Sequence, residues 1–383
     1  MTDEQPARWG RKIRVGVLFG GQSSEHAVSL ASAQSVMAAL DPQAYEVVPI
    51  GITRQGQWLT GSDPMHALLA AGGQLTARPP ETGSPSDALV AAEQESALVA
   101  GPEGATGALH RLDVVFPVLH GPFGEDGTVQ GFLELADIAY VGSGVRGSAV
   151  GMDKGMMKAI FRDAGLPTPL TQLVRESDWE RAPDAVVRRL VETVGLPCFI
   201  KPANMGSSVG VSKATTEADI SHALREAFRF DDDGRVVVEE AIRGREVECS
   251  VLGNDEPQAS AVGEIIVQGH DFYDYEAKYT DPATRLRIPA DIPPHIADEV
   301  RRLAVEAFRA IDAAGLARVD FFYDEGNDRV LLNEINTMPG FTATSMYAMM
   351  WQAVGLSYSE LVDRLIGLAI ERHNRRRRRR REA

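Results

Sequence analysis

The chain has 383 residues, 44% of them hydrophobic and 24% charged, which is too long for one core and enough for two or three domains. Its net charge is −15, and the stretch from Arg372 onward carries eight arginines against Glu382, so removing that +7 leaves −22 on the rest of the chain. So acidic a body is a poor nucleic-acid binder as a whole, and the run Arg375 to Arg381 reads as a solvated tail, disordered over 373–383, with a grip on a polyanion as its alternative.

No run of about 18 apolar residues occurs, so no membrane-spanning helix is expected. The start from Met1 to Arg14 is polar and lacks the apolar stretch of a signal peptide, so the chain is expected to stay in the cytoplasm. The two cysteines, Cys198 and Cys249, lie far apart in no C-x-x-C pattern, and Cys198 sits in the apolar run Pro197 to Ile200. Buried thiols are expected, with no disulfide and no thiolate metal site.

Ile13 to Phe19 reads as a buried strand running into Gly20-Gly21. A helix should follow with Ser23 or Ser24 near its cap and Leu30, Ala33, Met37 and Leu40 on one face, then a strand from Tyr45 to Ile52. Strand, helix, strand in this order is a parallel α/β unit. Residues from about 63 to 110 are rich in Ala, Gly, Pro, Ser and Thr and read as a loose insertion. Order returns with a strand from Asp113 to Leu119, ending at His120-Gly121.

A second domain is expected from near Gly142, with a helix around Lys154 to Ala164 and a strand from Phe199 to Lys201. The glycine-rich turn Asn204 to Gly210 and a strand from Val236 to Glu240 complete it. The last segment holds a helix from Asp298 to Ala314, where Val300, Leu303, Ala307, Phe308 and Ile311 recur at helical spacing before Gly315.

Val319 to Tyr323 and Val330 to Ile335 read as two strands joined by the turn-rich Asp324 to Asp328. Alternation puts Arg318 and Asp320 on one face, and Glu334 and Asn336 on one face. A register that sets Asp320 across from Glu334 also sets Arg318 across from Asn336, whereas a slip of one residue would turn the pairs apart. Two facing carboxylates and an amide oxygen repel each other unless a cation lies among them, and all-oxygen ligation suits Mg²⁺. Lys154, Lys201 and Lys278 stand at a helix start, a strand end and a loop, where lysine heads suit phosphate charge. The small residues of Asn204 to Gly210 let backbone N–H groups approach an anion, although the spacing is not that of a Walker loop. Gly142-Ser143-Gly144-Val145-Arg146-Gly147 matches G-x-G-x-x-G after a short strand, which leaves a dinucleotide-dependent oxidoreductase as a remote alternative.

Taken in order, five stretches resemble the D-alanine–D-alanine ligase family of the ATP-grasp superfamily. They are Gly20 to Leu30, His120 to Gly127, Lys201-Pro202 with Gly206 to Gly210, Tyr273 to Tyr279, and Asn333 to Thr342. The likeness runs from about Ile13 to Leu368, interrupted by the insertion. It implies an α/β ATP-grasp protein of three α/β domains. These are an N-terminal parallel-sheet domain over 1–141, a central domain over 142–238 and a C-terminal domain over 239–372, the last two clasping ATP.

The resemblance also implies roles. Lys154, Lys201 and Lys278 meet the ATP phosphates beside Ser208, Glu239, Glu240, Ala241 and Ile242 line the adenine pocket, and Glu246 binds the ribose. Asp320, Glu334 and Asn336 hold two Mg²⁺, or Mn²⁺ in its place. Glu25 holds the ammonium of the first D-alanine, tied to Ser207 and Tyr279, with His120 beside that substrate. Arg318 and the N–H of Gly340 take the tetrahedral oxyanion, and Ser345 with the N–H of Met346 receives the second carboxylate. Tyr273 to Thr284 is a lid that closes over nucleotide and shields the acyl phosphate from water.

The implied activity joins two D-alanine molecules through D-alanyl phosphate, for peptidoglycan precursors in cell-wall synthesis, by a protein whose relatives are commonly homodimers. Its partners are small molecules, with no membrane and no specific nucleic acid among them. Relatives that make D-alanyl-D-lactate lack the Lys-Tyr pair, so Lys278-Tyr279 argues for an amine acceptor; a D-lactate or D-serine acceptor is the alternative on the same fold.

Overall fold

The computed structural model describes residues 11–61, 63–70, 99–100, 112–266 and 285–382. The expected lid over 273–284 and most of the insertion lie outside the described residues. The chain divides into two compact units, one built from 1–142, 338–348 and 356–383, the other from 143–337 and 349–355.

The first unit begins with β1 (Ile13–Gly20), α1 (His26–Ala39), β2 (Tyr45–Ile52), β3 (Trp58–Thr60), α2 (Pro64–Ala70) and β4 (Val99–Ala100). It continues with β5 (Val114–Pro117), α3 (Thr128–Leu135) and β6 (Ala139–Tyr140). Their sheet order is β4-β3-β2-β1-β5-β6. β1 pairs in parallel with β2 on one side and β5 on the other, while β3 and β4 add an antiparallel edge. β1 is apolar on both faces, as the centre of a covered parallel sheet requires. Strand order reverses between β1 and β5, so the loops after these two strands flank the crevice at the carboxyl end where such sheets bind ligands.

Most of the expected elements appear here, with two adjustments. α1 starts at His26 with Glu25 as its cap residue, and Ser23 serves the cap by accepting the Glu25 N–H at 3.2 Å. Within the expected insertion, α2 buries Leu68 against β2, where a Cβ on Gly51 would come within 2.9 Å of it.

The expectation of a disordered arginine tail is overturned. A single helix runs from Tyr358 to Glu382, burying Leu361, Val362, Leu365, Ile366, Ala369 and Arg372. Arginine is a good helix former. Arg372 and Arg376 recur one turn apart on a face that meets its own partners. Arg372 donates to the Gly142 carbonyl at 2.6 Å and to the Tyr140 carbonyl at 3.3 Å, and its guanidinium lies 4.8 Å from the centre of the Tyr140 ring. Arg376 pairs with Glu134, while Arg377 and Arg380 pair with Asp137.

The second unit starts with α4 (Val145–Met152), α5 (Lys154–Asp163), β7 (Thr171–Arg175), α6 (Glu176–Arg181), α7 (Pro183–Thr193) and β8 (Cys198–Pro202). β9 (Ser212–Ala214), α8 (Glu217–Phe228), β10 (Arg235–Glu240), β11 (Arg245–Gly253) and β12 (Gln258–Ile266) follow. β13 (Arg285–Arg287), α9 (Pro294–Ala310), β14 (Gly315–Asp324) and β15 (Arg329–Asn336) close it. One sheet has the order β7-β10-β8-β9 and the other β13-β12-β11-β14-β15, and the pairs in both are antiparallel. The first is backed by a core of Leu190, Ile220, Leu224 and Val238, the second by Val300, Leu303, Phe308, Val319 and Phe321. α5 lends Met157 and Phe161 to the second core while packing on β7, β10 and β15, so it touches both sheets. β10 runs through the expected domain boundary at 238/239, and both antiparallel sheets belong to one compact unit.

α9 begins and ends four residues earlier than expected. Pro294 suits a first helical position. Asp312, at φ 57, breaks the helical path, and Gly315 opens β14 rather than stopping the helix. In the G-x-G-x-x-G segment, Gly147 serves packing, since a Cβ there would meet the Asp312 carbonyl at 2.9 Å. Cys198 and Cys249 are buried free thiols. Among the described residues no helix is long and apolar enough to cross a membrane.

Candidate active site

The β14–β15 hairpin has the expected register, with Asp320 across from Glu334 and Arg318 across from Asn336. A bulge then shifts the pairing, so that Phe321 faces Leu332 and Asn333 is the extra residue. The bulge reconciles two demands on one strand. Val330, Leu332 and Ile335 all join the core despite their uneven spacing, while Glu334 and Asn336 keep to the opposite face.

On that face Arg318 forks onto Asp320, with Nε to Oδ1 and Nη2 to Oδ2 both at 2.7 Å. Asn336 Nδ2 donates to Asp320 Oδ2 at 3.0 Å. Glu248, which stands beside Asp320 on β11, brings Oε2 to 3.1 Å from Arg318 Nε. Burial opposes the charge on Arg318, but Asp320 and Glu248 outweigh it and raise its pKa well above the ordinary value. The guanidinium is therefore permanent and fixed in direction.

A second charged group lies where α5 meets the two sheets. Glu239 Oε2 is 2.6 Å from Lys201 Nζ, and Glu239 Oε1 is 2.9 Å from Lys158 Nζ. Burial favours the neutral acid, yet the two ammonium groups hold the Glu239 carboxyl down to about 2. Burial likewise acts against the charge on Lys201, but Glu239 and then Glu334 prevail and its pKa is raised. For Lys158 burial prevails and its pKa is lowered. Glu334 therefore connects the hairpin electrostatically to both lysines.

Lys154 opens α5, where Asp153 caps the helix by accepting the Met156 N–H at 3.0 Å. Its ammonium donates to the Met205 carbonyl in the glycine-rich turn. Within that turn Ser207 and Ser208 both take left-handed conformations, at φ 51 and φ 57. Such conformations in non-glycine residues cost about 1–3 kcal/mol each and gather where a ligand is received.

Glu239 and Glu240 are neighbours on β10 and face opposite ways. Glu240 Oε1 accepts the Leu170 N–H at 2.9 Å. Ala241 donates its N–H to the Pro197 carbonyl at 3.1 Å, and Ile242 follows in the link to β11. Glu246 lies on β11, close enough for its charge to act on Lys201.

In the first unit Glu25 and His120 come together at the strand-order reversal. Gly121, at φ 74, leaves this corner room that a Cβ would take, 3.0 Å from Ser23 Cβ and 3.8 Å from Glu25 Oε2. His120 Nδ1 is 3.1 Å from the Met338 carbonyl, and its Nε2 is buried with no hydrogen-bond partner among the described residues. Burial lowers the His120 pKa against the raising effects of Glu25 and the Met338 carbonyl, so the ring is neutral at neutral pH. Gly340 precedes Phe341, whose N–H is bound by Ser32 Oγ at 3.2 Å. The Ser345 hydroxyl donates to the Thr342 carbonyl at 2.7 Å and accepts the Thr342 N–H at 3.1 Å, and Met346 starts a short helix to Gln352.

The structure thus gathers Lys201, Glu239, Glu246, Arg318, Asp320, Glu334 and Asn336 in the second unit, and Glu25 with His120 in the first. Lys278 and Tyr279 lie outside the described residues. Sequence reasoning missed Lys158 and Glu248. The signal for Lys158 was its place four residues after Lys154, one turn along the same helix face. For Glu248 it was an acid inside an apolar strand. Among the described residues no group of three or more His, Cys, Asp or Glu side chains is placed to hold a metal ion, the hairpin set being two carboxylates and an amide.

Two antiparallel sheets in one unit, with a lysine pair and an acid-bearing hairpin between their elements, are the arrangement that the resemblance to the ATP-grasp superfamily implies. The family model described as "D-ala D-ala ligase N-terminus" matches residues 14–143, and "D-ala D-ala ligase C-terminus" matches 160–367. The D-alanine–D-alanine ligase of Geobacillus kaustophilus is 48% identical over 365 residues, covering 94% of this chain and 96% of its own. That of Pseudarthrobacter chlorophenolicus is 49% identical over 383 residues, covering 97% of each. Among solved structures, the D-alanine–D-alanine ligase of Coxiella burnetii superposes with a TM-score of 0.78 at 36% identity, covering 97% of this chain and 98% of its own. A D-Ala:D-Ser ligase of Enterococcus faecalis gives 0.77 at 34% identity, covering 94% and 99%. The chain belongs to the D-alanine–D-alanine ligase family.

Proposed function

We propose that this protein joins two D-alanine molecules, at the expense of ATP, into D-alanyl-D-alanine for peptidoglycan precursors. The observation that carries the reading is the pairing of Asp320 with Glu334 across the hairpin, with Arg318 forked onto the same face.

The donor set fits a hard cation, since two carboxylates and an amide share one face. Asn336 now turns Nδ2 toward Asp320, and a half-turn of the amide offers its oxygen instead. Asp320, Glu334 and Asn336 would hold Mg²⁺, which would supply positive charge to neutralise the transferred phosphate. Lys154, Lys201 and Lys278 neutralise phosphate charge beside the Ser207-Ser208 turn. Glu239 to Ile242 line the adenine pocket, and Glu246 binds the ribose.

The carboxylate of the first D-alanine attacks the γ-phosphorus, its O–P bond forming as the bond to ADP breaks. The amine of the second D-alanine then attacks the carbonyl carbon of D-alanyl phosphate. Arg318, permanently charged, receives the developing oxyanion, a role the resemblance shares with the N–H of Gly340. The amine loses a proton, and inorganic phosphate departs as the amide forms. For the first substrate the same resemblance assigns its ammonium to Glu25 with Ser207 and Tyr279. It sets His120, neutral and with an unbonded Nε2, beside that substrate. The second carboxylate falls to Ser345 and the N–H of Met346.

ADP release measured in parallel with D-alanine, L-alanine, D-serine and D-lactate tests the reading. D-alanine is expected to drive release and to yield D-alanyl-D-alanine. Release indifferent to D-alanine overturns the ligase assignment, and dominant D-alanyl-D-lactate or D-alanyl-D-serine overturns the acceptor. Glu334→Gln is expected to lower turnover by at least about a hundredfold while the thermal transition is retained.

A further inference from the structure

Lys158 is among the largest fully buried side chains of the protein, at 1% exposure. A lone ammonium at such a site is unfavourable, and a methionine of similar length would fill the same space without that cost. The helix around it supplies such residues, since Met157 and Phe161 of α5 are core. What Lys158 does touch is specific. Its Nζ lies 2.9 Å from Glu239 Oε1 on β10 and 3.4 Å from the Leu332 carbonyl on β15, the strand that carries Glu334. The other oxygen of Glu239 binds Lys201, and Thr171 Oγ1 stands 3.5 Å from Oε1.

The charge balance of this trio decides what Lys201 can offer. With Glu239 alone, the Lys201 ammonium would be matched one for one and would present no net charge. With Lys158 engaging the second oxygen, two cations share Glu239, and the trio carries one positive charge more than the Lys201–Glu239 pair to set against the nearby charges of Glu334 and Glu246. Lys158 is buried, so that charge is delivered through Lys201, whose side chain is 14% exposed.

We infer that Lys158 is a positioning residue for nucleotide binding: by holding Glu239 Oε1 it keeps the Lys201–Glu239 pair aimed and makes the Lys158–Glu239–Lys201 trio one positive charge richer than that pair, and so makes Lys201 competent to engage a phosphate of the nucleoside triphosphate. The inference rests on the ATP-dependent reading of the site. It adds a residue that never meets the nucleotide and acts only through Glu239 and Lys201.

The test is steady-state kinetics of the full chain with varied ATP at saturating D-alanine, together with direct binding of a non-hydrolysable ATP analogue in the presence of magnesium. Lys158→Met is expected to raise the ATP KM and the analogue Kd by about tenfold or more, the worth of one charge-assisted contact, while kcat stays within about threefold. Lys158→Arg, which keeps the charge, is expected to restore both constants to within about threefold of the unmodified protein.

An ATP KM and analogue Kd unchanged in a folded Lys158→Met protein overturn the inference. So does a fall in kcat with KM unmoved. If Lys158→Met does not fold, Lys158→Gln and Lys158→Arg decide: weaker analogue binding in the first and retained binding in the second support the inference, and equal binding in both overturns it. An unmodified protein that binds no analogue and releases no ADP with D-alanine removes the ligase reading itself. That outcome is distinct from one in which the unmodified protein works and Lys158→Met works equally well.

Discussion

Glu239 stands between opposed influences: burial favours its neutral form, and Lys158 and Lys201 hold its carboxyl at about 2. The folded value lies below the ordinary 4.5, so the stabilising contribution is complete above about pH 5 and disappears as pH falls through 2. The thermal midpoint is expected to fall across that window, and Glu239→Gln should remove about 5 °C or more of the fall. The expected direction fails if the two proteins lose stability in parallel. The neighbouring hairpin residues were legible in the sequence because strand alternation alone puts Asp320 with Arg318 and Glu334 with Asn336. Lys158 was not. A charged residue on a helix reads as solvent-facing, and only a partner far along the chain, on β10, makes its burial tolerable. Strain in the Ser207-Ser208 pair was equally hidden, since a turn rich in small residues announces flexibility and not the sign of φ.

Elements were most legible where periodicity stood alone, and least where a local signal competed with it. β2 matches its expected bounds because nothing interrupts the run from Tyr45 to Ile52. α9 was displaced because the apolar spacing continues through Ile311, whereas Asp312 turns left-handed and ends the helix. In β15 the bulge at Asn333 explains why the apolar residues break step midway, a change of register that alternation alone does not foresee. α8 shows a local signal in full. Thr216 accepts the Asp219 N–H at 3.2 Å, and the Asp219 carboxylate accepts the Thr216 N–H at 2.8 Å. Thr216→Ala is expected to lower unfolding free energy by about 1 kcal/mol in urea denaturation, with little change in ATP KM. A loss under about 0.3 kcal/mol would show that the reciprocal cap carries no weight there.

At the scale of the whole molecule the arginine-rich end was the largest misreading. Composition predicts repulsion and disorder, but Glu134, Asp137 and two backbone carbonyls give one face of the helix its partners. These contacts are not equal. Arg372 is buried with two carbonyls to satisfy, whereas Arg376, Arg377 and Arg380 make partly exposed ion pairs worth about 0–1 kcal/mol each. Arg372→Ala should therefore cost about 2–3 kcal/mol and lower the thermal midpoint, while removing residues 378–383 should lower it by less. A truncation more damaging than Arg372→Ala would reverse that ranking. The acidic remainder and the order of the five site stretches, by contrast, were evident from composition and spacing alone.

The first unit is discontinuous, and this bears on how the chain is made. Phe341 packs on Phe116, Tyr347 and Tyr358, so a core begun early is finished only by residues synthesised last. At typical elongation speeds the opening 142 residues wait on the order of 10–40 s for the ribosome to reach Met338. The second unit, almost unbroken over 143–337, emerges during that interval. A nascent chain therefore exposes its parallel sheet unfinished while a later segment is already able to fold, and it is the early sheet that most needs shielding by chaperones at the tunnel exit.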